Sequence, residues 1–93
     1  MAIIVMAEND KLTREAYDGM LQGLREVMRS SPGFIAHMGW QSPDGAWRVV
    51  EIWQTKQDAN QFFAKHVHPN LPPDAPRPKR TVHELHALVE PTR

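Results

Sequence analysis

The order of the periodic segments in this 93-residue chain leaves few possible folds. Six segments carry strand or helix periodicity, in the order strand, helix, strand, strand, helix, strand: residues 2–7, 13–29, 34–41, 46–55, 56–67 and 80–90. The strand segments are rich in β-branched and aromatic residues, and the helical segments repeat apolar residues at spacings of three and four. The same strand–helix–strand unit therefore occurs twice, without any repeat in the sequence itself.

The segment that starts at Thr13 has the clearest helical pattern. Its apolar stripe consists of Tyr17, Met20, Leu21, Leu24, Val27 and Met28. Charged and polar side chains occupy the opposite side, and the run SSPG at 30–33 ends the helix. A helix of this kind is stable only when its apolar stripe packs on a second surface, which here is a sheet.

The element order predicts an α+β fold of ferredoxin-like βαββαβ topology. Right-handed crossovers place the first and third strands at the centre of a four-stranded antiparallel sheet, with both helices on one face. The other face is too apolar to meet water well, so we expect a homodimer formed through the sheet face. Residues 1–93 are expected to form a single domain with a proline-rich loop at 68–79.

Composition excludes several classes of function. Eleven basic and eleven acidic residues give a formal net charge of zero, which offers no electrostatic reason to expect nucleic acid or a membrane surface as a partner. The absence of cysteine excludes disulfides and thiolate nucleophiles. No apolar stretch approaches the ~20 residues of a membrane span. A cytoplasmic location is therefore expected.

The run SPDG at 42–45 predicts a hairpin between the second and third strands. A two-residue turn at Asp44 and Gly45 would put four cross-strand pairs on one side of the sheet: Ala36 with Trp53, Met38 with Glu51, Trp40 with Val49, and Ser42 with Trp47. The other side would carry Ile35, His37, Gly39, Val50 and Ile52. A three-residue turn with a bulge would shift this pairing.

On this register Glu51 lies among aromatic rings and loses hydration, so it needs a cationic or hydrogen-bonded partner. Two interpretations stay open. Glu51 is an acid/base group at the floor of a cavity, or it forms a structural ion pair with Arg48, Arg80 or a dimer mate.

Two histidines, His66 and His68, end the second helical segment. On a helix they would point in opposite directions, and a protein zinc site usually needs at least three ligands, so no metal site is predicted. His66 lies on the apolar stripe of this segment, together with Ala59, Phe62, Phe63 and Val67. It is either a core or helix-end histidine, or a general base at the mouth of an aromatic cavity. His68 is expected to face solvent.

The segments SPGF (31–34), VVEIW (49–53), KQDANQFF (56–63) and HVHPNL (66–71) resemble the antibiotic biosynthesis monooxygenase (ABM) domain family. The resemblance extends over nearly the whole chain and implies a dimeric α+β barrel, with a cavity between the sheet and the helices of each protomer. Members of that family include cofactor-independent oxygenases of secondary metabolism, cyclases, haem-degrading monooxygenases and proteins of no known activity.

The start MAEN (6–9) is similar to the haem-degrading branch, where an asparagine at this place is functional; the matching residue here is Asn9. That branch has a tryptophan in the second helix where this chain has Phe62, and its haem-ligating histidine follows a longer helical segment than the one before His66 and His68. Haem is therefore only an alternative here, and no cofactor is expected.

The resemblance implies a cofactor-independent monooxygenase acting on a small aromatic or polyketide-like substrate. We expect His66 to be the base, Glu51 to orient it or act in its place, and Asn9 to donate a hydrogen bond. The predicted substrate-binding residues are Tyr17, Met20, Leu24, Trp40, Trp53, Phe62 and Phe63. The alternatives are a cyclase or isomerase, a non-catalytic ligand-binding dimer, and a haem-binding or haem-degrading protein.

Overall fold

The computed structural model describes residues 2–70 and 78–91, which form a four-stranded sheet covered by two helices. The elements are β1 (Ile3–Asn9), α1 (Arg14–Ser30), β2 (Phe34–Gln41), β3 (Trp47–Trp53), α2 (Lys56–Phe62) and β4 (Lys79–Glu84). The strand order is β2-β3-β1-β4, and all neighbouring strands are antiparallel. The predicted α+β, ferredoxin-like βαββαβ fold is confirmed, with β1 and β3 at the centre.

The first helix begins where the sequence indicated. The Thr13 side chain accepts a hydrogen bond from the backbone N–H of Ala16 at 3.1 Å, which satisfies one of the free donors in the first turn. At the other end, Ser31 adopts an extended conformation, and its N–H bonds to the carbonyl of Met28 at 3.1 Å. Gly33 follows with a φ of 80°, a backbone conformation that glycine adopts easily.

Both helices pack on the same face of the sheet. The core joins Ile3, Val5 and Trp53 from the sheet to Met28 from α1 and to Ala59 and Phe62 from α2. Trp53 is fully buried at its centre, with ring centroids 5.4 Å from Phe34 and 5.2 Å from Phe62. Contacts of this kind between large aromatic rings supply much of the burial available to a domain of this size.

The second helix was predicted to run from 56 to 67 without interruption, but its α-helical part ends at Phe62. Residues Phe63–Val67 form a wider turn, in which the N–H of His68 bonds to the carbonyl of Phe63. A turn closed by an i→i+5 bond holds one more residue than a turn of α-helix. Val67, at the end of this turn, packs against the core.

The hairpin between β2 and β3 differs from the predicted one. Its loop has three residues, Pro43, Asp44 and Gly45, closed by a 2.8 Å bond from Ser42 N–H to the Ala46 carbonyl. Gly45 has a φ of 92°, as a type I turn followed by a left-handed residue requires. The predicted pairing was therefore wrong by one residue.

The observed register puts His37 opposite Glu51, Met38 opposite Val50, and Trp40 opposite Arg48. An irregularity between Phe34 and Ala36 shifts the pairing once more near the start of β2, so that Phe34 is opposite Trp53. Since side chains alternate along a strand, His37 lies on the helix-covered face, and Met38 and Trp40 lie on the outer face.

The last strand is shorter than the predicted segment 80–90 and ends at Glu84. Of the predicted proline-rich loop at 68–79, residues His68–Asn70 form a single 3-10 turn and Lys79 already belongs to β4. Residues 71–77 of that loop lie outside the described residues. Among the described helices, none is long and apolar enough to cross a membrane.

Candidate functional site

A cavity of about 160 Å³ lies between the covered face of the sheet and the two helices. Its lining is mostly apolar: Val5, Ala7, Leu12, Met20, Leu21, Leu24, Met28, Trp47, Val49, Ala59, Phe62, Phe63, Val67 and Pro78. Five polar residues complete it: Glu8, Asn9, His37, Glu51 and Arg80. An apolar cavity of about 150 Å³ can hold one benzene molecule, so this one has room for a single aromatic ring.

A chain of hydrogen bonds connects the cavity floor to the inside of α1. Tyr17 Oη lies 2.8 Å from His37 Nε2, and His37 Nδ1 lies 2.8 Å from Glu51 Oε2. The second carboxylate oxygen, Oε1, accepts a hydrogen bond from the indole Nε1–H of Trp53 at 3.0 Å. The side chains of His37 and Glu51 are only 9% and 18% exposed, which keeps water away from most of this network.

The protonation of Tyr17 sets the direction of the hydrogen bonds. Burial raises the pKa of the Tyr17 phenol above its ordinary value of 10.0, and the nearby carboxylates of Glu51 and Asp18 raise it further. The phenol therefore keeps its proton and donates it to His37 Nε2. With Nε2 as the acceptor, the N–H of the His37 ring lies on Nδ1 and donates to Glu51, whose other oxygen accepts from Trp53.

Local geometry brings these residues together. The three-residue hairpin loop places His37 directly opposite Glu51 on the two adjacent strands. α1 crosses above β2 so closely that a Cβ added to Gly39 would collide with the Tyr17 phenol ring. Tyr17 also stacks on Trp47, with ring centroids 4.7 Å apart and planes inclined by 14°. Gly39 thus allows the approach that lets the phenol reach His37.

Sequence reasoning missed His37, because the two-residue turn put its side chain on the outer face. The run Pro43-Asp44-Gly45 contained the signal, since glycine at the third loop position is typical of three-residue hairpin loops. The same shift removes Trp40 from the cavity: its side chain lies on the outer face, and the residue is 45% exposed.

Six of the ten predicted site residues line the cavity: Asn9, Met20, Leu24, Glu51, Phe62 and Phe63. Tyr17 and Trp53 do not line it. They form hydrogen bonds to two residues that do, Tyr17 to His37 and Trp53 to Glu51. His66 is half-buried outside the lining, with its ring centroid 5.3 Å from that of Phe62. The structure therefore joins Glu51 to His37 instead of to His66.

Asn9 lies at the end of β1, where its side chain is held by the following turn. Its Oδ1 accepts the backbone N–H of Lys11 at 3.0 Å. The side-chain oxygen is thus engaged locally, which leaves the amide N–H groups as the donors available toward the cavity. This geometry suits the predicted role of Asn9 as a hydrogen-bond donor.

Two further charged residues belong to the lining, Glu8 and Arg80, and the side chain of Glu8 points to the outer face of the sheet, on the side of Arg48. Glu8 forms an ion pair with Arg48, its carboxylate 2.8 Å from the guanidinium. Arg80, on β4, holds its guanidinium carbon 5.0 Å from the centre of the Phe63 ring, a cation–π contact. Within residues 2–70 and 78–91, no three histidine or acidic side chains converge as a metal site would require.

Comparison with known proteins identifies the fold. No family model matches the sequence, and no curated protein matches it either. A mutant of SnoaB, a cofactor-independent oxygenase from Streptomyces nogalater, superposes with a TM-score of 0.67 at 9% identity and covers 95% of both chains. A protein from Bordetella bronchiseptica assigned to the antibiotic biosynthesis monooxygenases gives 0.64 at 16% identity, over 92% of this chain and 98% of that one. The chain has the antibiotic biosynthesis monooxygenase fold.

A third similar structure is MhuD with two manganese protoporphyrin IX molecules per active site, at a TM-score of 0.67 and 15% identity over 97% of this chain and 99% of that one. The cavity here does not suit such a group. It is close in size to one benzene ring, and His66 and His68 do not line it. Its one histidine, His37, has both ring nitrogens in hydrogen bonds.

Proposed function

We propose that this protein is a cofactor-independent monooxygenase that oxidises a small hydroxylated aromatic substrate in the cavity between sheet and helices. The observation that carries the proposal is the Tyr17–His37–Glu51 hydrogen-bond chain, which reaches a mostly apolar cavity of single-ring size. The fold shared with SnoaB, which uses no cofactor, supports the same activity.

The first step of the proposed reaction is deprotonation of the substrate, which comes before the reaction with oxygen. Glu51 removes the proton of the substrate hydroxyl, and His37 holds the carboxylate in place through its Nδ1–H. The resulting anion is electron-rich enough to transfer an electron to O₂, and the two radicals combine to give a peroxide at a ring carbon. The apolar lining shields these intermediates from water.

The peroxide then takes up the proton held by the base. Loss of the hydrogen on the same ring carbon breaks the O–O bond, leaves a carbonyl and releases water. The substrate thus supplies all four electrons: one oxygen atom enters the product as a quinone-type carbonyl and the other leaves as water. No external reductant is required.

Hydrogen-bond donors near the cavity would stabilise the oxyanion that forms. Asn9 provides amide N–H groups, since its oxygen is already occupied by Lys11. The indole N–H of Trp47, a buried residue that lines the cavity, has no acceptor in the described part of the chain. A buried donor left unpaired costs about 1–3 kcal/mol, so a substrate oxygen within reach would be bound favourably.

A homodimer through the outer face of the sheet is part of the proposal. Met38, Val50 and Met6 form a continuous row across β2, β3 and β1. Met6 and Met38 are 44% and 45% exposed, and Trp40 beside them is 45% exposed. An apolar patch of this kind favours association with a second copy of the same sheet.

Oxygen consumption tests the activity directly. The purified protein is mixed with a panel of single-ring quinols and other hydroxylated arenes in an oxygen electrode, and products are identified by mass. The proposal predicts uptake of one O₂ per product, with one oxygen atom from ¹⁸O₂ in the product. Product formed without oxygen uptake would indicate a cyclase or isomerase that uses the same base. Binding without turnover would indicate a ligand-binding protein.

A further inference from the structure

Arg80 is the one charged residue of the cavity lining that forms no ion pair with another described residue. Glu8 is paired with Arg48, and Glu51 is bonded to His37 and Trp53. Arg80 instead holds its guanidinium over the face of Phe63, with its charge at the edge of an apolar space. A guanidinium in this position has five N–H donors, arranged to match a carboxylate.

The cavity therefore has two different ends. Across the sheet, Glu51 is opposite Val5 and Arg80 is opposite Ala7, so the two charged residues are separated by the central strand β1 and by two residues along it. Spacings of about 4.8 Å between strands and 3.4 Å per residue put their Cα atoms about 12 Å apart. The Glu51 carboxylate thus belongs to one end of the cavity and the Arg80 guanidinium to the other.

We infer that the substrate is an aromatic carboxylate with a hydroxyl group at the far end of the ring, and that Arg80 binds its carboxylate. This inference rests on the proposed function, because it assigns the hydroxyl to Glu51. Between the two ends the lining is apolar, and the cavity has the volume of about one aromatic ring. A para arrangement spans the greatest distance that a single ring allows, so we expect para-substituted compounds to bind best.

Binding measured without turnover tests this inference. Isothermal titration calorimetry compares 4-hydroxybenzoate with 4-hydroxybenzamide, which has nearly the same shape but no charge. A charge-assisted pair with Arg80 should make the carboxylate bind roughly tenfold tighter or more. 3-Hydroxybenzoate should bind more weakly than the para compound, since its two groups cannot reach both ends at once.

Two variants locate the effect. Arg80→Gln should remove the preference for the carboxylate and leave the affinity for the amide nearly unchanged. Lys79→Gln is the matched control: it removes the same charge from the neighbouring exposed residue of β4, whose side chain alternates to the other face. It should retain the preference. Thermal unfolding of both variants checks that the fold is intact.

Three outcomes would overturn the inference: equal affinity of the wild type for both ligands, a preference that persists in Arg80→Gln, or no binding of either ligand at millimolar concentration. The result is independent of oxygen chemistry. A protein that shows the Arg80-dependent preference but consumes no oxygen with any hydroxylated arene would refute the proposed function and leave the anion site standing. Oxygen uptake with neutral phenols, but not with hydroxybenzoates, would support the proposed function and refute the anion site at Arg80.

Discussion

His37 Nδ1 lies 2.8 Å from Glu51 Oε2, and this bond joins the edge strand β2 to the inner strand β3 on the cavity side of the sheet. Together with the hydrogen bond from Trp53 to the other carboxylate oxygen, it orients the carboxylate that we propose as the base. The first prediction follows from this relationship. Glu51→Gln keeps the shape but removes the base, so oxygen uptake should fall about 10²- to 10⁴-fold.

The measurement is the initial rate in the oxygen electrode with any substrate that the wild type turns over. Glu26→Gln, on the exposed side of α1, is the matched control and should keep the wild-type rate. A Glu51→Gln variant that folds normally and retains full activity would remove Glu51 from the mechanism.

Removal of the Tyr17 hydroxyl should weaken the fold more than the chemistry. Tyr17→Phe leaves His37 Nε2 without its donor in a site where the histidine side chain is 9% exposed. The lost hydrogen bond should lower the free energy of unfolding by about 1–2 kcal/mol. Urea denaturation measures this change. A variant as stable as the wild type would mean that the hydroxyl contributes no net hydrogen bond.

The pH dependence of stability should report on Tyr17, which is the only tyrosine in the chain. Its folded pKa is raised above 10.0, mainly by burial, so folding favours the neutral phenol. This contribution is fully present below pH 10.0 and is lost as pH rises through the folded pKa. The ultraviolet absorbance of tyrosinate should therefore titrate later in the native protein than in urea.

The Tyr17→Phe variant is the control for this experiment. Above pH 10.0 the stability difference between the wild type and this variant should shrink, because the wild type alone loses the phenol contribution. A tyrosinate midpoint at or below that of the unfolded chain would contradict the burial of the phenol.

Two glycines should respond in opposite directions to alanine. A Cβ at Gly39 would collide with Tyr17, so Gly39→Ala should destabilise the protein by about 1–3 kcal/mol. A Cβ at Gly23, in the middle of α1, meets no atom within 4 Å, so Gly23→Ala should stabilise it by about 0.5–1 kcal/mol. Thermal unfolding of the two variants side by side decides the sign. Equal effects would mean that α1 does not approach β2 as described.

Association through the outer face should depend on its apolar row. Met38→Glu places a charge in the middle of the proposed contact and should convert a dimer to a monomer in size-exclusion chromatography with light scattering. Gln61→Glu introduces the same charge on the exposed side of α2 and should leave the dimer intact. A wild-type protein that is monomeric at high micromolar concentration would refute the dimer.

Features of the sequence that concern neighbouring residues predicted the structure well. The stripe from Tyr17 to Met28, the start at Thr13 and the stop at 30–33 predicted α1 almost to the residue, and the element order predicted the sheet. These features depend on local spacing and on the handedness of crossovers, both of which a single sequence contains.

Features that depend on one residue of register were not predicted. The length of the loop after Ser42 decides whether His37 or Trp40 faces the helices. The run SPDG at 42–45 is compatible with a loop of two residues and with a loop of three. Likewise, His66 lies outside the cavity lining where the wider turn at Phe63–Val67 replaces the α-helix, whereas Val67, predicted on the same stripe, packs against the core. The pairing of His37 with Glu51 depends on the register between two strands, so the pattern within either strand alone could not predict it.

The loop of three residues between β2 and β3 makes the chemistry of this protein sensitive to a change in length rather than in composition. Deletion of a single loop residue would turn the edge strand β2 over. Met38 and Trp40 would then face the cavity, and His37 would lie on the outer face. Insertions and deletions at this hairpin are therefore a route by which relatives with the same fold could lose, or acquire, the imidazole that orients the carboxylate, without any substitution among the residues that line the cavity.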